Sequence, residues 1–308
     1  MLSVVARLRR IKSGETLVLA AQCLVGRSAA CQIRLDDRYV SSEHAKLVWT
    51  GSKWQVRDLG SRNGTFVDGR RVEPGRPVTL VLGAQLGFGE SEVEWELSDA
   101  SPPGAIATST DGVQRAAVGE LLVLPDEDSP QISIFPDPHG SGWVAEDVEG
   151  ETRAVEDQAL LSVGQHTWRL DLPVLNEATP MVDVAQTLEN VQLQLAVSED
   201  EERVQVRILL RGELKHKLEP REHSYLLLLL ARARLEDHAK PPSEQGWRNV
   251  DALTRMLKLD PNALNVSIHR ARQQLARTGL EGAAGIVQTR RGHRRLGTAR
   301  FEVVRLAE

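Results

Sequence analysis

Alternation of apolar and polar positions dominates the first hundred residues. Val4-Ala6-Leu8, Thr16 to Ala20, Ala45-Leu47-Trp49 and Trp54-Val56 repeat with period two, which predicts half-buried strands. Thr50-Gly51-Ser52-Lys53 separates two of these runs as a hairpin connection, and Asp68-Gly69, Pro74-Gly75 and Leu82-Gly83 punctuate the rest. Many short strands with glycine-bearing turns and no helical period predict an all-β sandwich over 1–98. A Pro/Ser/Ala/Thr-rich linker is expected over 99–118.

Period two returns over 119–175, in Glu120 to Leu124, Gln131 to Phe135, Gly142 to Glu146 and Gln165 to Leu172. This predicts a small acidic β-rich module. Its pattern Trp143-Val144, Val163-Gly164, Trp168-Arg169-Leu170 faintly echoes Trp54-Gln55-Val56, Leu82-Gly83, Trp95-Glu96-Leu97, as a degenerate internal repeat would. Residues 176–203 are expected to be an acidic connector with room for one more strand.

From 204 the period changes. A hairpin around Arg211-Gly212 is followed by a leucine-rich helix opened by Pro220, a short helix capped by Asn249, and a third helix starting at Asp260-Pro261 and ending near Gly279. Ile286 to Thr289 and Phe301 to Val304 are expected as two closing strands joined by a basic turn. The fold class is therefore multidomain: a β-sandwich, an acidic β-rich middle, and an α+β C-terminal domain over 204–308.

Charge sharpens this division. The formal −5 splits into +3 over residues 1–98, −17 over 99–203 and +9 over 204–308. A basic C-terminal third behind an acidic middle points to a polyanionic partner, and to the middle folding against that third and holding the polyanion off. The longest apolar run, Tyr225 to Ala231, is too short for a membrane span, and no leader pattern follows Arg7, Arg9 and Arg10. A cytoplasmic protein with no membrane partner is expected. Cys23 and Cys31 alone make neither a disulfide framework nor a zinc cluster, and read as small strand residues. Phosphate-loop, dinucleotide, nucleophile-elbow and kinase signatures are missing from the sequence, and Asp126-Glu127-Asp128 reads as a solvated acidic turn. No catalysis, cofactor or metal is expected.

Polar residues in the turns of the N-terminal sandwich carry chemistry. An arginine with hydroxyls and an asparagine on neighbouring loops suits a phosphate monoester, since the guanidinium gives paired charge-assisted donors. The series Gly26-Arg27, Ser41-x-x-His44, Asp58-x-x-Ser61-x-Asn63-Gly64-Thr65 and Leu82-Gly83 resembles the forkhead-associated (FHA) domain over residues 5–98. That resemblance implies a sandwich of about eleven strands that binds phosphothreonine peptides. By it, Arg27 and Ser41 hold the phosphate, Asn63 bonds the peptide backbone, Arg62 adds a contact, and Gly26, His44 and Gly64 shape the loops. Ser42 stands where the family often has Arg, Lys or Asn, so its contact is weaker.

On the third C-terminal helix, Leu264, Ile268, Ala271 and Leu275 share one face. Val266, Arg270, Gln273 and Arg277 lie opposite, with His269 at their edge. Such a helix fits the major groove of DNA, and the basic stretch from Thr289 to Arg295, with Arg291 and Arg294, can contact phosphates or a minor groove. The element order, with Leu218-x-Pro220-x-Glu222, Val266-x-Ile268-x-Arg270-x-Arg272 and Ile286-Val287-x-Thr289-x-Arg291-Gly292, resembles the winged-helix output domain of OmpR/PhoB-type response regulators. By that resemblance Arg270 reads bases, Thr289 touches a phosphate and Arg291 reaches a minor groove. His293-Arg294-Arg295 departs from the family's wing, Glu236 to Gln245 is an insertion, and the usual receiver domain is missing. The combined expectation is a signalling protein that binds a threonine-phosphorylated partner, such as a Ser/Thr kinase or its substrate, and double-stranded DNA as a transcription regulator. The alternative is an adaptor whose winged helix contacts protein.

Overall fold

The computed structural model describes residues 5–89, 94–138, 140, 142–175 and 186–306. Val4, part of the first expected strand, and residues 176–185 of the expected connector lie outside the described residues. The chain divides into two compact units, Ser3–Ile106 with Leu170–Asn176, and Ala107–Arg169 with Glu177–Glu308. No helix among the described residues is long and apolar enough to cross a membrane.

The first unit holds β1 (Arg7–Arg10), β2 (Thr16–Val18), β3 (Gln22–Gly26), β4 (Ile33–Arg34), β5 (Ala45–Trp49), β6 (Trp54–Asp58), β7 (Thr65–Val67), β8 (Arg70–Arg71), β9 (Val78–Leu80), β10 (Gln85–Phe88) and β11 (Trp95–Asp99). They form a six-stranded sheet, β2-β1-β11-β10-β7-β8, and a five-stranded sheet, β4-β3-β5-β6-β9. Leu8, Leu86 and Leu97 of one sheet share a core with Val25, Leu47, Trp54 and Val56 of the other. Alternation decides which residues enter it: along β6 Trp54, Val56 and Asp58 are buried, and Gln55 and Arg57 are not. The polar end of that inward series, Asp58, anchors the site described below. β4, β8 and β9 escape a periodicity reading because two or three residues cannot display a period.

The next region holds β12 (Ile106–Ser109), β13 (Gln114–Ala116), β14 (Leu122–Leu124), β15 (Ile132–Pro136), β16 (Trp143–Asp147), β17 (Thr152–Val155), β18 (Leu160–Val163) and β19 (His166–Asp171), all in the second unit except Ile106, Leu170 and Asp171. Two four-stranded sheets result, β13-β12-β19-β18 and β14-β15-β16-β17. The stretch read as a linker thus contains β12 and β13. Leu122, Leu124, Ile134, Trp168 and Leu170 are all almost fully buried.

The C-terminal region is built on β20 (Val191–Val197), β21 (Val204–Leu210), β22 (Glu213–Lys217), α1 (Glu222–Glu236), β23 (Arg248–Asn249), α2 (Val250–Leu257), α3 (Pro261–Ala276), β24 (Val287–Arg290), β25 (His293–Leu296) and β26 (Phe301–Arg305). β20 lies in the expected connector, yet it sits inside the sheet β22-β21-β20-β26, where β26 pairs with it in parallel from Leu193↔Phe301 onward. It is the one further strand the connector was expected to allow, and its Val191, Leu193, Leu195 and Val197 are all buried. Pro220 stands before Arg221, the N-cap of α1, so it precedes that helix and is not its first residue. Asn249 accepts the Asp251 amide to cap α2, and Asp260 accepts the Ala263 amide at 2.8 Å to cap α3, with Pro261 in the first turn.

The chain's end corrects one expectation. Residues 301–305 do not close a basic hairpin with 286–289; β25 pairs with β24 in that role and β23 joins them in a three-stranded sheet. The reversal is therefore tight, around Arg291 and Gly292, where Gly292 has φ +67°. Arg294 and Arg295 lie on a strand, not at a loop tip.

Candidate functional site

Three loops at one end of the first sandwich converge on a small polar surface. Strand β3 delivers Gly26 and the exposed Arg27, whose backbone N–H donates to the Ser41 carbonyl at 3.0 Å. The next amide, Ser28, donates to the Ser42 carbonyl at 3.0 Å. The Ser41 hydroxyl accepts the Arg62 amide at 3.1 Å, which leaves its own proton free to donate outward. Asn63 donates from Nδ2 to the Tyr39 carbonyl at 2.8 Å, leaving Oδ1 to accept. The arginine, the hydroxyl and the amide thus end up on loops tied to one another. The Ser42 carbonyl is spent inside the loop, where it also receives the Cys31 thiol at 3.3 Å, while the Ser42 side chain is exposed. Cys31 is therefore a loop residue, and Cys23 of β3 is buried, with its thiol pushed up to about 12 chiefly by that burial.

Gly26 is required by space. A Cβ there would lie 2.3 Å from the Ser42 carbonyl oxygen. Gly64 is required by conformation as well, at φ +95° with the Arg71 Nε 2.5 Å from where its Cβ would stand. Gly26→Ala should push the Ser41–Ser42 loop away and cost about 1–3 kcal/mol of overpacking. The expected outcome is lost affinity for whatever the loops bind, together with a lower unfolding midpoint; an unchanged midpoint would mean that the loop yields freely.

Two buried polar groups lock the loops. Asp58 is fully buried and accepts four hydrogen bonds, from the Gly60 and Ser61 amides at 2.8 and 2.9 Å and from the Ser61 and Thr65 hydroxyls at 2.6 and 2.7 Å. Burial pushes its carboxyl up, but the four donors together outweigh burial and hold it below the usual carboxylate range. His44, also fully buried, receives the Ser41 amide on Nδ1 at 3.1 Å and donates from Nε2 to the Gly64 carbonyl at 3.0 Å. One imidazole therefore bridges the Ser41 and Gly64 loops. Burial lowers its pKa against the opposing pull of the Gly64 carbonyl and Asp58, so the ring stays neutral. The Asp58 hub, Tyr39 with the Arg38 guanidinium over its ring at 4.7 Å, and Arg71 beside Gly64 are neighbours that turn reading alone did not assign.

The family model described as FHA domain matches residues 23–89, the stretch that carries this geometry. The N-terminal region is an FHA domain. The FHA domain-containing protein FhaB of Mycobacterium tuberculosis is 36% identical over 83 residues, covering 27% of this chain and 52% of that protein. Its counterpart in Mycolicibacterium smegmatis is 37% identical over 83 residues, with the same coverage. The chain thus spans about half the length of the curated relatives it matches. Among solved structures, Mycobacterium tuberculosis EmbR in complex with a low-affinity phosphopeptide is 35% identical, covering 31% of this chain and 25% of that one, with a TM-score of 0.29. A chain solved in a study of phosphothreonine-dependent FHA domain interactions is 31% identical, covering 30% of this chain and 95% of that one, with a TM-score of 0.27.

Outside the FHA domain, the second candidate surface lies on α3 and the β24–β25 hairpin, and the structure splits the expected set. Arg277 and Arg291 are exposed. Arg270 is exposed but lies 3.5 Å from the Asp128 carboxylate. Gln273 is buried and donates to the Glu127 carboxylate, and Thr289 donates to the Glu146 carboxylate at 2.5 Å. His269 and Arg294 are each 3% exposed, where the wheel and the turn reading had placed them outward. For His269 the cause is the module packed on that side of α3; burial first, then Arg272, Arg270 and Arg277, lowers its pKa to about 4. For Arg294 the cause is strand alternation, which turns it inward to donate to the Val148 carbonyl at 2.5 Å. Arg272, never assigned a role, is buried in an ion pair with Glu146 at 2.8 Å. Trp247, just after the insertion, has the Arg290 and Arg295 guanidiniums over its ring at 4.5 and 4.6 Å from the ring centre, a cation–π contact with both strands of the hairpin.

Proposed function

We propose that this protein reads a phosphothreonine on a partner, a Ser/Thr kinase or its substrate, and couples that event to a C-terminal winged helix that binds double-stranded DNA as a transcription regulator. The observation that carries the first half is the convergence of Arg27, Ser41 and Asn63. The guanidinium and the free Ser41 proton supply charge-assisted donors to a phosphate, and the Asn63 Oδ1 is left to accept a peptide amide. Arg62 and Ser42 stand at the rim of this set. Nothing in it activates a nucleophile or a water, so the reading is of binding without chemistry.

The second half is supported by the order α1–β23–α2–α3–β24–β25. A three-residue turn, Lys258 to Asp260, joins α2 to α3, and Lys258 adopts φ +54° there. An Arg-bearing helix beside a basic hairpin suits a phosphate backbone. A protein ligand in place of the duplex is the second reading, favoured because this surface already engages a protein module.

The test is fluorescence anisotropy of the full chain with a degenerate phosphothreonine peptide pool and with the same pool unphosphorylated. Binding at least roughly 100-fold tighter to the phosphorylated pool is expected, since several hydrogen bonds to a charged group are at stake. Equal binding of the two pools would remove the reading.

A further inference from the structure

The order of strands in the acidic module repeats that of the FHA domain. β14-β15-β16-β17 follows the pattern of β3-β5-β6-β9, and β13-β12-β19-β18 follows that of β2-β1-β11-β10. Trp143 of β16 and Trp168 of β19 occupy the buried positions that Trp54 of β6 and Trp95 of β11 occupy in the FHA domain. Gly164 does not match Gly83, because it turns between the last two strands of the module whereas Gly83 precedes β10. The segments after β14 and β16 therefore correspond to those after β3 and β6, which carry Arg27, Ser41, Arg62 and Asn63.

In the module this end has inverted chemistry. The segment after β14 offers Asp126, Glu127 and Asp128, and the end of β16 offers Glu146. Glu146 pairs through Oε1 with Arg272 of α3 at 2.8 Å, with side-chain exposures of 9% and 3%, and accepts Thr289 of β24 on Oε2. Glu127 takes Gln273, Asp128 faces Arg270, and the Val148 carbonyl takes Arg294. Leu121, Val123 and Phe135 close over Ala284 beside these contacts. Five of the seven residues expected to contact DNA are thereby buried or held by the module's carboxylates and carbonyl.

We infer that the β12–β19 module is a built-in clamp: a sandwich of FHA-like strand order that uses its loop end, armed with carboxylates, to occupy the surface that would otherwise grip a polyanionic duplex. Oxygens stand against guanidiniums where phosphate oxygens would stand. The same contact leaves both ring nitrogens of His269 buried without a hydrogen-bond partner, a cost that separation relieves. The clamp is thus a competitor of duplex, not a permanent part of the core. This inference rests on reading α3 and the hairpin as a duplex-binding surface.

Full-length protein and two variants altered only on the module, Glu146→Gln and Asp128→Lys, should be titrated with a fluorescent random-sequence duplex at low salt. Hydrogen exchange of residues 261–276 should be followed in parallel without DNA. Glu146→Gln unpairs a buried arginine, whereas Asp128→Lys acts from a side chain 92% exposed, so the fold tolerates it. Both variants are expected to bind duplex at least tenfold more tightly than the parent, with faster exchange along α3. Faster exchange with unchanged, measurable duplex affinity would overturn the clamp and leave the duplex reading standing. Faster exchange with no duplex binding by any of the three proteins would overturn the duplex reading and the competition with it.

Discussion

Replacing Arg27 by alanine will weaken phosphothreonine-peptide binding by about 30- to 150-fold, or roughly 2–3 kcal/mol, the range of hydrogen bonds to a charged group. The fold should not change, because the structural bond at this position belongs to the backbone, from the Arg27 N–H to the Ser41 carbonyl at 3.0 Å. Arg27→Lys should recover part of the loss, since it restores the charge but not the paired donors. Isothermal calorimetry with one phosphothreonine peptide measures both. A change of less than about threefold in the alanine variant would place the phosphate elsewhere.

Asp58→Ala should be the most damaging change within the FHA domain, at roughly 3–5 kcal/mol, because it strands two amides and two hydroxyls in a buried site. Hydrogen exchange of residues 45–67 should accelerate accordingly. The same carboxylate gives a pH dependence of known sign. Its folded pKa lies below its ordinary 3.8, so its stabilisation is complete above that value and is lost as pH falls through the folded one. His44 adds to this from higher pH. Held neutral, it destabilises the fold as acid approaches and passes below its ordinary 6.5. Asp58→Asn should flatten the lowest part of the acid limb, whereas the His44 part below 6.5 should persist and deepen, because the charge that opposes burial at His44 is gone. Identical acid limbs in the parent and the Asn variant would remove Asp58 from that role.

The loops of the FHA domain were legible through short local series, Gly26-Arg27, Ser41-x-x-His44 and Ser61-x-Asn63-Gly64, whose resemblance to the family grouped residues that lie far apart in sequence. The helices were legible for a similar reason: Asn249 and Asp260 cap where their side chains meet amides two or three residues on. What the sequence hid is non-local. β20 was allowed for as one further strand of the connector, but its partners could not be read, because they lie on either side of all three helices. The burial of His269 follows from a module more than a hundred positions upstream, which a helical wheel treats as solvent. Arg294 was misplaced by a shift in where the hairpin turns, since on a strand each step reverses the face. The charge split, by contrast, did foreshadow that the acidic middle meets the basic third, although it could not say through which residues.

The parallel pairing of β20 with β26 also orders events during synthesis. Gln194 and its partner Glu302 are 108 positions apart. At about 5–20 residues per second, a nascent chain carries β20 with one edge open for roughly 5–20 seconds before its neighbour exists. An open edge of alternating Val, Gln and Leu is a template for pairing with other chains. The FHA domain, whose strands lie within Arg7–Asp99, is complete on the ribosome long before that interval begins. Crowded translation of this message therefore threatens the C-terminal sheet, and a chaperone that shields β20 during that interval would raise the yield of folded protein.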